Sequence, residues 1–84
     1  MKTLDRQLEK KYFEDGQLWV EIPHQDGLIH GIMKEYYNDG HIHNIIPFRD
    51  GSPNGLAKSY SNNGRLKHQV YWEGGKIVNT SLVA

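Results

Sequence analysis

Apolar and polar positions alternate along most of this chain, and the alternation breaks at regular intervals where an acidic or amide residue precedes glycine. Such pairs stand at 15/16, 26/27, 39/40, 50/51 and 63/64, and Gly74-Gly75 completes the series, so the breaks fall 11 or 13 residues apart. Each break is flanked by β-branched and aromatic residues. A period of two bounded by Asp-Gly or Asn-Gly is the strongest short-range signal for hairpins with two-residue primed turns, in which glycine supplies positive φ and Asp or Asn tolerates it. The pattern predicts an all-β chain: an antiparallel β-meander of about seven strands, centred near residues 8–14, 17–24, 28–38, 41–48, 55–62, 65–73 and 76–83. The segment Arg49 to Asn54, with Pro53, is the candidate for a longer loop.

The meander is also an internal repeat. Tyr12-Phe13-Glu14-Asp15-Gly16-Gln17-Leu18 returns as Tyr36-Tyr37-Asn38-Asp39-Gly40-His41-Ile42 and as Tyr60-Ser61-Asn62-Asn63-Gly64-Arg65-Leu66, a step of 24 residues. Ile22-Pro23-His24-Gln25-Asp26-Gly27 returns at the same step as Ile46 to Gly51 and Val70 to Gly75. Leu8 to Tyr12 aligns with Ile32 to Tyr36 and Leu56 to Tyr60, which leaves residues 1–7 as an N-terminal extension and 8–84 as one repeat sheet with full units 12–35, 36–59 and 60–83. The aspartates then serve turns. Two carboxylates suggest acid–base catalysis only where they converge on one substrate, and these fall at successive turns on alternating edges.

The spacing Tyr-x-x-Asp/Asn-Gly-x-Leu/Ile, followed 11 residues later by Asp-Gly and then by Gly31 or Gly55, resembles the MORN-repeat variant of YwqK-type bacterial antitoxin proteins. It covers the chain after Leu8. The resemblance implies a twisted single-layer sheet of stacked hairpins that binds another protein, some members neutralising a toxin. The third copy departs from the pattern, with Asn79 in place of Gly31 and Gly55 and Tyr71 in place of the prolines, as a terminal capping unit would.

Two-residue turns fix the register by arithmetic. They place Phe13, Leu18, Val20, Ile22, Ile29, Met33, Tyr37, Ile42, Ile46, Leu66, Val70, Trp72 and Ile77 on one side, face A, which Phe48 and Ala57 join by repeat alignment. Face B receives Tyr12, Trp19, Glu21, Lys34, Tyr36, His43, Ile45, Lys58, Tyr60, Lys67, Gln69 and Tyr71. Lys10 falls opposite Glu21 on face B, and Gly31 and Gly55 fall on face A opposite Ile22 and Ile46, where a missing side chain leaves room.

Composition narrows the function. At 84 residues folding buries only about 60% of the extended chain's surface, too little for a large enclosed active site. Ten basic residues cancel ten acidic ones and are dispersed along the chain, so neither nucleic acid nor an acidic membrane is an expected partner. The absence of cysteine removes disulfides, thiolate metal sites and cysteine nucleophiles. The start lacks a signal-peptide core and no apolar run approaches about 20 residues, so a cytoplasmic location is expected. His41 and His43 share a strand, yet no third ligand converges on them. The serines lie in no nucleophile-elbow context, and Gly51 to Gly55 has no following helix to cradle a phosphate. No catalytic residue, metal or cofactor is expected.

What remains is a non-catalytic protein–protein interaction module of the antitoxin or immunity type, acting through a sheet face or edge, with a structural or membrane-peripheral scaffold as the alternative. Face A has no second layer to cover it, so a homo-oligomer or a heteromeric complex is expected there, centred on Ile22, Met33, Ile46 and Val70 with Trp72. The first strand carries Glu9, Lys10 and Lys11, whereas Ile77 to Ala84 has no charge and no proline. That makes the last strand, with Val78 and Thr80, the candidate for strand addition.

Overall fold

The computed structural model describes residues 5–82, which form one open antiparallel sheet. Its strands are β1 (Arg6–Tyr12), β2 (Leu18–Gln25), β3 (Leu28–Ile29), β4 (Gly31–Tyr36), β5 (Ile42–Arg49), β6 (Ser52–Pro53), β7 (Gly55–Tyr60), β8 (Leu66–Glu73) and β9 (Lys76–Leu82). Neighbours run β1-β2-β4-β5-β7-β8-β9, while β3 pairs with β2 and β6 with β5. These are the seven expected rungs, two of them interrupted at His30 and at Asn54. The first rung starts two residues before Leu8, because Asp26 donates its amide to the Asp5 carbonyl at 2.8 Å and carries the pairing past the expected boundary. The expected loop over 49–54 is instead a tight turn, with Arg49 paired to Ser52.

One layer is all there is among the described residues. The molecule measures 48 × 37 × 15 Å and has a radius of gyration of 14.1 Å, against about 12 Å for a compact chain of this length. Among the described residues only Val20, at 7% exposure, and Ala57, at 8%, are buried.

Two kinds of turn alternate between the two ends of the sheet. At 26/27, 50/51 and 74/75 both central residues have positive φ, as type I′ turns require: 52° and 83°, 48° and 90°, 56° and 85°. At the other end only the glycine does. The Gly16 amide donates to the Phe13 carbonyl at 2.9 Å and the Phe13 amide to the Gln17 carbonyl at 2.8 Å, which is a three-residue loop closed by a glycine bulge. The hydrogen bonds of Tyr37 with Gly40 and His41, and of Ser61 with Gly64 and Arg65, repeat it.

This corrects the register at the bulged end. Lys10 pairs with Glu21 and Lys11 with Val20, as the arithmetic requires, but Tyr12 meets Leu18 rather than Trp19. One residue is extra in each hairpin, since Tyr36 pairs with Ile42 and Tyr60 with Leu66. Cross-strand partners share a face, so Leu18, Ile42 and Leu66 stand on face B with the tyrosines and not on face A. The extra residues turn the other way. Trp19 lies 6.0 Å from the Phe13 ring and His43 stacks on Tyr37 at 4.1 Å, and both reach Glu35, which pairs with Val20 and Asn44 on face A.

A second irregularity separates β3 from β4. His24 pairs with Ile29, yet Glu21 pairs with Lys34, so the later rung holds two additional residues. An even insertion leaves the faces unchanged. It does change the neighbours of the glycines: Gly31 and Gly55, with φ of 115° and 116°, lie against the rings of Pro23 and Pro47 and not opposite Ile22 and Ile46.

The bulged turns are tied to one another by a ladder of side chains. Asp15 accepts the Gln17 amide at 3.0 Å and the Asn38 side-chain amide at 3.0 Å; Asp39 accepts the His41 amide at 3.1 Å and the Asn62 side chain at 2.8 Å. Hydrogen bonds from those backbone amides, then from the asparagines, favour the carboxylate form and lower both pKa values below the ordinary 3.8. A depressed folded-state pKa gives stability that is present above the unfolded value and lost as pH falls through the folded one. The urea midpoint is therefore expected to drop between pH 5 and pH 3 by more in the native chain than in Asp15→Asn/Asp39→Asn, and parallel curves would reject the ladder.

Candidate interaction surface

The apolar row foreseen for face A runs across the sheet. Met33 pairs with Ile46, Ala57 with Val70, and Val70 with Thr80, while Trp72 pairs with Gly55 and Ile22 stands at the β2 end. Ile22, Met33, Ile46, Val70 and Trp72 are half-buried by neighbours in the same layer, and Thr80 is exposed. A shallow depression of about 170 Å³ lies over Ile46, Ala57, Val70 and Trp72. Val78 sits at an irregularity of β9, between the Tyr71–Asn79 and Trp72–Ile77 pairs, and is 51% exposed. Ile22 and Thr80 are five strands apart, so the expected residues form a stripe of about 24 Å and do not close into one pocket.

Where the bulges place Trp19 and His43, Glu35 gathers a polar cluster that the sequence reading missed. Its carboxylate accepts from Trp19 Nε1 at 3.3 Å and Asn44 Nδ2 at 2.6 Å, with His43 Nδ1 at 3.6 Å. Each of its two oxygens is engaged by a neighbour, which makes the cluster a brace between β2, β4 and β5. His41 goes elsewhere, to Asp39 at 3.4 Å and the Asn62 carbonyl. The extra residue at position 43 breaks the alternation that would have set the two imidazoles side by side. Among the described residues no three histidine or carboxylate side chains group as metal ligands would.

Face B has a pattern of its own. Arg6, Lys10, Lys34, Arg49, Lys58 and Lys76 project from it with only Glu21 and Glu73, an excess of four positive charges in a chain of zero net charge. The basic residues, dispersed along the sequence, are collected by the fold. Glu21 is engaged, since Tyr36 donates its hydroxyl to Oε1 at 2.7 Å; that bond, with burial and the carboxylate charge, pushes the Tyr36 pKa up to about 12. Beside the basic row run exposed aliphatics, Leu8 at 53%, Ile32 at 53% and Leu56 at 41%, with Tyr71 at 47% paired to Leu56.

Residues 8–26, 29–50 and 53–73 match the family model described as MORN repeat variant. The chain belongs to that family. Comparison with curated proteins and with solved structures finds no match. In the phase of the family match each MORN unit is a hairpin closed by a bulged turn, β1 with β2, β4 with β5 and β7 with β8. The type I′ turns join one unit to the next, and β9 follows the third unit. Each MORN unit thus brings one exposed aliphatic residue and, two positions later, one lysine to face B: Leu8 and Lys10, Ile32 and Lys34, Leu56 and Lys58.

Proposed function

We propose that this MORN repeat chain is a non-catalytic protein-binding module, in which the sheet presents its faces to a partner protein or to a second copy. The observation that supports this most is the single layer, with two buried side chains among the described residues, which leaves an apolar stripe uncovered on each face. The YwqK-type resemblance supports an antitoxin or immunity role, with the partner's active surface occluded by the sheet. Affinity capture of the tagged chain from its host, followed by mass spectrometry, is expected to return one stoichiometric protein partner. Recovery of the chain alone would overturn the heteromeric reading.

One observation favours a second reading. The basic excess on face B is what a scaffold held at an anionic membrane would use, at about 1 kcal/mol per basic residue near the surface. Sedimentation with anionic vesicles at low and high salt separates the two, because a lipid-held scaffold pellets at low salt and a protein-binding module stays in solution.

A further inference from the structure

We propose that face B docks an acidic, leucine-bearing segment of the partner protein; this rests on the reading of the chain as a protein-binding module. The first support is charge placement. A neutral chain has six of its ten basic residues on one face, while its carboxylates are concentrated at turns and on face A. Among the described residues no ion pair within 4.0 Å engages any of the six, since the pairs present join Lys11 to Glu9 and four histidines to carboxylates. Lys34 and Lys58 flank Ile45, with no acid between them.

Placement of the aliphatics is the second support. Leu8, Ile32 and Leu56 each precede a lysine by two residues on the same strand and the same face, so three equal pairs recur every two strands, about 9.6 Å apart. At one end of this row Arg6, Leu8, Pro23 and Gln25 line an open groove of about 460 Å³ that continues past Gln7 and His24 at the β1 edge. An occupant must therefore offer carboxylates to one row and apolar groups to the adjacent row.

Chemistry selects among polyanions. Nucleic acid supplies the charge, but its sugar–phosphate surface has nothing to set against Leu8, Ile32 and Leu56, which would be desolvated without return. An anionic bilayer supplies charge at the headgroups and hydrocarbon about 5–10 Å deeper, whereas aliphatics in the middle of a face stand no taller than the neighbouring lysines. A polypeptide carries both groups at one level, and the lysine stems can lie along its apolar side chains.

Fluorescence anisotropy with a labelled peptide of Leu-Glu-Glu repeats tests this, alongside a Leu-Lys-Lys peptide of equal length, phosphatidylserine vesicles and an oligothymidylate. The Leu-Glu-Glu peptide is expected to bind, to weaken as salt is raised, and to weaken roughly fivefold in Lys34→Gln/Lys58→Gln and again in Ile32→Ser/Leu56→Ser. Circular dichroism and urea midpoints close to those of the native chain establish that the variants fold. Equal binding of the two peptides, binding unmoved by both variants, or a preference for vesicles or oligonucleotide would overturn the assignment. A stoichiometric partner captured from the host and retained by both variants would sink this docking face while leaving the protein-binding reading in place.

Discussion

Gly55→Ala lowers the stability of the sheet by about 2 kcal/mol or more, the largest effect expected of adding a single methyl group to this chain. Two costs coincide there. The backbone has a φ of 116°, a conformation that side chains other than glycine rarely adopt, and a Cβ built on it would lie 3.0 Å from Pro47 Cγ. The proline ring cannot swing away as a flexible chain end could, because it is closed onto its own backbone. Gly31→Ala meets Pro23 at 3.3 Å and should cost somewhat less; Gly40→Ala, with a φ of 94° and no atom within 4 Å, carries only the torsional cost of about 1 kcal/mol. Removing the ring should return part of the loss, so Pro47→Ala and Gly55→Ala are expected to be coupled in a double-mutant cycle. Urea midpoints give the order directly. A Gly55→Ala midpoint equal to that of the native chain would show that the repeat does not need the glycine against the proline.

Ile46→Asp should abolish the folded sheet or leave it barely stable. Ile46 pairs with Met33 and stands in the face A stripe beside Ala57 and Val70, where a carboxylate would replace an apolar side chain among apolar neighbours. Placing a charge in that half-buried stripe costs about 3 kcal/mol or more, comparable to the whole stability a small single core supplies. The informative control is Gln69→Asp on face B, which sets the new carboxylate opposite Lys58 and is expected to stay within about 0.5 kcal/mol of the native chain. His43→Asp, a natural control if His43 were on face B, would instead bring a second acid towards Glu35. Equal losses in Ile46→Asp and Gln69→Asp would mean that the faces do not differ in burial.

The contrast between Asp15-Gly16 and Asp26-Gly27 shows how far the sequence reaches. Both are Asp-Gly pairs between alternating segments, and that suffices for the meander, the 24-residue repeat and the body register in which Lys10 meets Glu21. It does not separate a two-residue turn from a three-residue bulged loop. In all three bulged loops the side chain before the glycine, Asp15, Asp39 or Asn63, accepts the backbone amide two residues on, a local contact that an Asp-Gly or Asn-Gly pair does not announce by itself. Because side-chain direction has a period of two, that single extra residue moved Trp19, His43, Leu18, Ile42 and Leu66 to the other face while leaving Ile22, Met33, Ile46 and Val70 in place. The basic face was legible in principle, since Lys10, Lys34 and Lys58 recur at the repeat step. Net charge counted along the chain hides what alternate positions on seven rungs collect.

Light scattering of the purified chain across micromolar concentrations, read together with the fluorescence of an apolar dye, tests most directly whether this sheet needs a covering molecule. The expected result is self-association, or a monomer that binds the dye, with dye binding lost when a partner is added. A monomer at every concentration that binds no dye would contradict it, and would show that one twisted layer hides its apolar stripes unaided.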